Sequence, residues 1–222
     1  RRGRRGVPMT IARPLPGDYA PFYQPYLDDT QPADDALQVL LRQDDMLAFM
    51  ATWTEEKVGH RYAEGKWTAG QVLGHMADTE RVFAYRLLRV ARADETPLAG
   101  FDENAWQLHS RFETRSMKSL VAEMTAVREA SMSLIESLDA ASLDRETMAN
   151  GKRVTGRALV WLIAGHFAHH AIGGGLIELP LGIGLLGLRL GAMQIAHDFG
   201  DGDQIAGVDL GFVFLGAARP HC

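Results

Sequence analysis

The segment Ala164-Gly165-His166-Phe167-Ala168-His169-His170 sets two histidines, His166 and His170, four positions apart. On a helix that spacing stacks both imidazoles on one face, one turn apart, where they can grip a single ion. Neutral imidazole is a ligand for zinc, nickel, copper or iron, and a third nitrogen from a facing helix completes a set that leaves coordination positions open. His75 can supply it, because it shares a helical stripe with Val72, Thr79 and Val82 that should face a bundle interior. A single buried histidine is more often a core residue bonded to a carbonyl than a ligand, and His-x-x-x-His also arises by chance. Agreement among a helix cap, an inward stripe and a spaced pair is what favours a metal site.

Asp78 lies three residues after His75 and is the candidate catalytic residue, a carboxylate that could orient a ligand or a coordinated water. The plainer reading of such a residue is a surface or intrahelical charge. As the near carboxylate it is also the candidate for a facial triad with iron, which ranks low, and Glu80 and Arg81 flank it on other faces. His169 points about a third of a turn from His170, so it belongs at the edge of the site or bonds a neighbour, and a His166–His169 pair is the less favoured geometry. His60, His109, His197 and His221 fall in loops or the tail, where a solvated ring is the expectation. The sequence has no Gly-rich phosphate loop, no Gly-x-Ser-x-Gly elbow and no cysteine cluster.

The elements that must position these residues can be read in order. From 10 to 32, Pro14, Pro16, Pro21, Pro25 and Pro32 forbid a long helix, while Tyr19, Phe22, Tyr23 and Tyr26 offer apolar surface, so residues 1–32 read as an extended arm. A first helix is expected over about 33–53, with Leu37, Leu40, Leu41, Leu47 and Met50 as its buried stripe. The second is best marked: Thr68 and Gln71 form a capping box, Trp67 and Val72 are placed as a hydrophobic staple, and the helix should run to about residue 92. A long crossover without clean periodicity follows over 97–114. The third helix, about 116–138, has Leu120, Met124, Val127, Leu134 and Leu138 on one side and Glu123, Arg128, Glu129 and Glu136 largely elsewhere. Asn150-Gly151 signals a tight turn and a small hairpin, and Thr155 caps a fourth helix carrying Leu159, Ile163, His166 and His170 on one inward face.

The balance of 46% hydrophobic and 23% charged residues is that of a globular domain, and 222 residues suffice for one domain with appendages. A net charge of -5 gives no general reason to bind nucleic acid, although Arg1, Arg2, Arg4 and Arg5 cluster at the front. Met9 is one candidate start; if it is, the residues before it are read-through without function. The one cysteine, Cys222, allows no intramolecular disulfide and fits a reducing compartment, the cytoplasm. The apolar run 176–193 is interrupted by Glu178, Pro180, Arg189 and glycines, so no membrane role is expected.

Gly65-Lys66-Trp67-Thr68, Leu73-Gly74-His75-Met76-Ala77-Asp78-Thr79-Glu80-Arg81 and Ala164-Gly165-His166-Phe167-Ala168-His169-His170 resemble the DinB-like superfamily over about 33–170. The resemblance implies an all-α, four-helix bundle in up-down-down-up order with a long crossover between helices 2 and 3, often dimeric. It also implies a three-histidine site whose ligand positions match His75, His166 and His170, holding one divalent metal ion with zinc or nickel expected first. The superfamily includes thiol-dependent S-transferases, a maleylpyruvate isomerase using a small thiol, and metal-dependent hydrolases. The expectation is therefore an S-transferase or hydrolase acting through a coordinated thiol or water on a small electrophile; the rival is a non-catalytic, stress-associated binding bundle. After His170 the pattern departs: Gly173-Gly174-Gly175 should stop the helix, and 171–222 is an atypical Gly-rich tail, expected to reflect a frameshift that an intact coding frame would disprove.

Overall fold

The structure, a computed structural model, describes residues 10–30, 35–61 and 63–173. In chain order the helices are α1 (Gln24–Asp28), α2 (Ala36–Met50), α3 (Ala69–Ala91), α4 (Glu103–His109), α5 (Met117–Glu136), α6 (Ala140–Asp144) and α7 (Gly156–Ala168). Strands β1 (Glu146–Ala149) and β2 (Lys152–Thr155) lie between α6 and α7. The Gly-rich run and the apolar segment that follow His170 in the sequence reading fall, from residue 174 on, outside the described residues. Among the described residues no helix is long and apolar enough to cross a membrane.

Each long helix begins where a short polar side chain takes an otherwise unpaired amide. Asp35 accepts from Leu37 N, Ser116 from Ser119 N and Thr155 from Ala158 N. At α3 the capping box closes both ways: Gln71 N donates to Thr68 Oγ1 at 3.1 Å, and Thr68 N donates to Gln71 Oε1 at 2.8 Å. The four long helices pack pairwise, α3 on α5 and α7, and α2 on the same two, so the fold is mostly helical and bundle-like. One apolar core gathers Leu40, Phe83, Leu87, Ile135, Leu159 and Trp161; a second, rich in methionine, gathers Met46, Met50, Met76, Met117, Met124 and Phe167.

Several expectations need correcting. The first helix is shorter than 33–53, spanning Ala36–Met50, and Leu41 is half exposed while Val39, Gln43 and Met46 turn inward. The arm is not extended throughout, for a 3-10 turn at Pro21–Tyr23 leads into α1, where Pro25 sits in the first turn and sacrifices no helical hydrogen bond. The crossover holds α4 and a 3-10 turn at Phe112–Thr114; Asp102 caps α4 by accepting from Ala105 N. Arg128, placed on the polar side of its helix by pattern alone, is 1% exposed and ion-paired to Glu80 across the interface of α3 and α5.

The hairpin forms as the sequence suggests, with Thr147 opposite Val154 and Met148 opposite Arg153. Asn150 (φ 52°) and Gly151 (φ 68°) both take the left-handed region that a two-residue I′ turn requires. It also ties down two irregular segments, since Tyr19 of the arm bridges to Val154 and Leu98 of the crossover to Ala149.

Candidate metal centre

The histidines arrive from two helices, and His75 and His166 each follow a glycine that lets a neighbouring segment press close. A Cβ on Gly74 would lie 2.3 Å from the Phe112 ring, and one on Gly165 would lie 2.1 Å from the backbone carbonyl of Tyr26. Phe112 thus seals the outer side of α3 beside His75, and the arm seals α7 beside His166. Trp161 Nε1 holds the start of the arm by donating to the Ile11 and Ala12 carbonyls at 3.1 and 3.0 Å.

Within this frame the expected triad assembles. His75, His166 and His170 each offer a ligand atom within 4.8 Å of the others, and the three residues are 8%, 4% and 6% exposed. His75 Nε2 and His166 Nε2 are 3.2 Å apart, and the three ring centroids are separated by 4.5–5.0 Å. Three convergent imidazole nitrogens at this spacing form a group that can hold a metal ion. Thr79 Oγ1 lies 3.5 Å from the His75 ring nitrogens. Trp67 meets His75 edge-on at 5.0 Å, and Tyr26 and Phe83 meet His166 at 5.4 and 5.8 Å.

His166 lies in the α-helical part of α7 and His170 in the turn that follows it. The α-helical pattern ends at Ala168 and gives way to a π turn over His169–Gly173, so His170 is carried by a widened turn. Such turns are rare and concentrate at functional sites.

Burial sets the charge state. It drives the His75 pKa down to about 3, with His169 nearby adding to the effect, and drives His166 well below its ordinary value, with His75 and His169 adding. Both rings are therefore neutral near pH 7, the form in which imidazole donates a lone pair to a metal.

Asp78 stands apart from this group. Its side chain is 31% exposed and pairs with Arg81 at 3.1 Å, while Arg81 reaches on to Glu123 at 2.6 Å. Burial raises the Asp78 pKa, and Arg81 opposes the rise. His60 and His109 are exposed; His197 and His221 lie outside the described residues. His169 is buried and donates from Nδ1 to Asp29 Oδ2 at 2.7 Å. Neither Asp29 nor Tyr26 was legible as a site residue, because nothing in a proline-rich arm marks which of its side chains will reach a helix 140 positions further on.

The sequence model of the DinB superfamily matches residues 38–172. Among solved structures the fold is similar to that of YfiT from Bacillus subtilis, described as a probable metal-dependent hydrolase with an unusual four-helix bundle topology. That likeness has 20% identity and a TM-score of 0.52, over 64% of this chain and 86% of YfiT. The fold is also similar to that of a mycothiol-dependent maleylpyruvate isomerase, with 16% identity and a TM-score of 0.52, over 70% of this chain and 61% of the isomerase. At such identities the likeness is one of fold. No curated protein matches the chain. With the greater part of its length, and His75, His166 and His170, inside the matched region, the chain belongs to the DinB superfamily.

Proposed function

We propose that His75, His166 and His170 hold one divalent metal ion, zinc or nickel, and that the protein is a metal-dependent thiol S-transferase or hydrolase. The observation that carries this reading is the convergence of three buried imidazole nitrogens within 4.8 Å. When bound, such an ion supplies a Lewis acid that lowers the pKa of a thiol or water beside it. The chain's own residues do the rest. The two capped helices hold the rings facing one another, and burial keeps His75 and His166 unprotonated. Trp67, Tyr26 and Phe83 give the site apolar walls suited to a small electrophile. Asp78, three residues after His75 on α3, is assigned the part of orienting the thiol or water. The metal dependence ascribed to YfiT and the thiol dependence of the isomerase agree with this reading.

The low exposure of all three rings favours a second reading, in which the ion only stabilises the bundle. Thiol consumption separates the two, measured with a chlorinated arene and several small thiols, and paired with ester hydrolysis. Each is run with metal present, removed and restored. The enzymatic reading expects turnover that disappears with the metal and returns with it. A protein that binds about one equivalent of metal, gains thermal stability from it and turns over nothing would leave only the stabilising role.

A further inference from the structure

The third histidine lies where the α-helical pattern of α7 passes into a π turn. His170 sits in the π turn that starts at His169, so whatever holds that turn open also sets where the third ring points relative to His166. His169 is tied down from outside α7: its Nδ1 donates to Asp29 Oδ2 at 2.7 Å, with the two side chains 7% and 11% exposed. Asp29 is the C-cap that follows α1, and α1 packs directly on α7. The His169 ring stands edge-on to His170 at 5.1 Å and to Tyr26 at 5.3 Å, so it is clamped between the arm and the ligand.

The arm is itself well braced where it carries Asp29. Arg13 NH1 donates to Thr30 Oγ1 at 2.9 Å and to the Thr30 carbonyl at 3.2 Å, and its NH2 reaches the Leu27 carbonyl. The close approach of the Tyr26 carbonyl to Gly165 fixes the height of α1 on α7, one residue before His166. A largely buried carboxylate and a buried imidazole at 2.7 Å, on two braced segments, form a strut beside the triad.

We propose that Asp29 is a positioning residue for the metal centre: through His169 it holds the π turn that aims His170 at His75 and His166, which makes the N-terminal arm part of the site. This rests on the reading of the triad as a metal site. Groups hydrogen-bonded directly to a ligating histidine commonly change metal affinity by about 10- to 100-fold when lost, and Asp29, acting one residue further out, is expected at the lower end of that range.

Cobalt(II) is the probe, read by competition titration for affinity and by visible absorption for ligand geometry, on the full chain. Asp29→Asn is expected to bind cobalt about tenfold or more weakly and with a changed absorption spectrum. His169→Gln should do the same, and the double variant should be no weaker than either single one, since both cut one contact. Arg145→Met is the control: it loses the 2.7 Å bond to the Ala91 carbonyl at the end of α3 away from His75 and touches neither the arm nor His169, so it should lower Tm and leave cobalt affinity and spectrum as in the parent. Parent-like affinity and spectrum in Asp29→Asn and His169→Gln would overturn the inference while leaving the metal site intact. Equal weakening by Arg145→Met at equal loss of Tm would also overturn it, reducing the effect to general destabilisation. A parent chain that binds no cobalt would instead remove the metal reading, and this inference with it.

Discussion

Two buried polar groups share α3, five residues apart, and they are built on opposite principles. Glu80 is answered from within the protein: Arg128 Nε donates to it at 3.0 Å and NH2 at 2.9 Å, NH1 reaches the Leu40 carbonyl at 3.3 Å, and the guanidinium lies 5.0 Å from the Phe167 ring centre. The charges cancel and the geometry is closed. His75 meets two rings of its own kind, each able to turn a lone pair toward the same point. A cluster of like groups held at 3.2 Å in a desolvated interior gains little from its own members, whereas a cation would satisfy all of them at once. The first group is complete within the bundle, and the second could hold an ion.

The largest effect should come from opening the closed group. Arg128→Met leaves the Glu80 carboxylate buried without a partner and should cost about 3–5 kcal/mol in urea unfolding, whereas replacing Glu80 and Arg128 together by apolar residues of similar volume should recover most of it. A single variant within about 1 kcal/mol of the parent would show that the pair is not desolvated in solution.

The histidine group should instead respond to acid. Unfolded His75 takes up a proton near pH 6.5, while in the folded chain it resists until about 3. Stability of the metal-free protein is thus fully present above 6.5 and is lost as pH falls from there toward 3, by up to about 1.4 kcal/mol per pH unit for each such ring. His75→Ala should flatten this dependence and, unlike the loss of Arg128, abolish the rise in Tm on adding metal. An unchanged pH profile would mean that His75 is not neutral in the fold.

Asp78→Asn should do least to the fold, because its pair with Arg81 is partly solvated. Stability should stay within about 0.5 kcal/mol and metal content should be unaltered, while thiol turnover drops about tenfold. Unchanged turnover would confine Asp78 to its surface ion pair.

What the sequence revealed follows from which contacts are local. The Thr68–Gln71 box, the Thr155 cap and the Asn150-Gly151 turn are each decided within four residues, and all three form in the structure. The triad was legible because two of its members share a helix face and the third lies on a well-marked stripe. Arg128 was misplaced because a charged residue in an amphipathic pattern carries no sign that its partner is Glu80, 48 positions away. The π turn and the Asp29–His169 bond were missed for the same reason, since both depend on α1 lying against α7.

Crystals of the full chain grown with zinc, with anomalous scattering recorded at the zinc edge, test the central claim most directly. The account predicts one ion per chain at about 2.0–2.1 Å from one ring nitrogen each of His75, His166 and His170. Zinc bound elsewhere on the chain, or those three rings packed against one another with no anomalous peak between them, would contradict it.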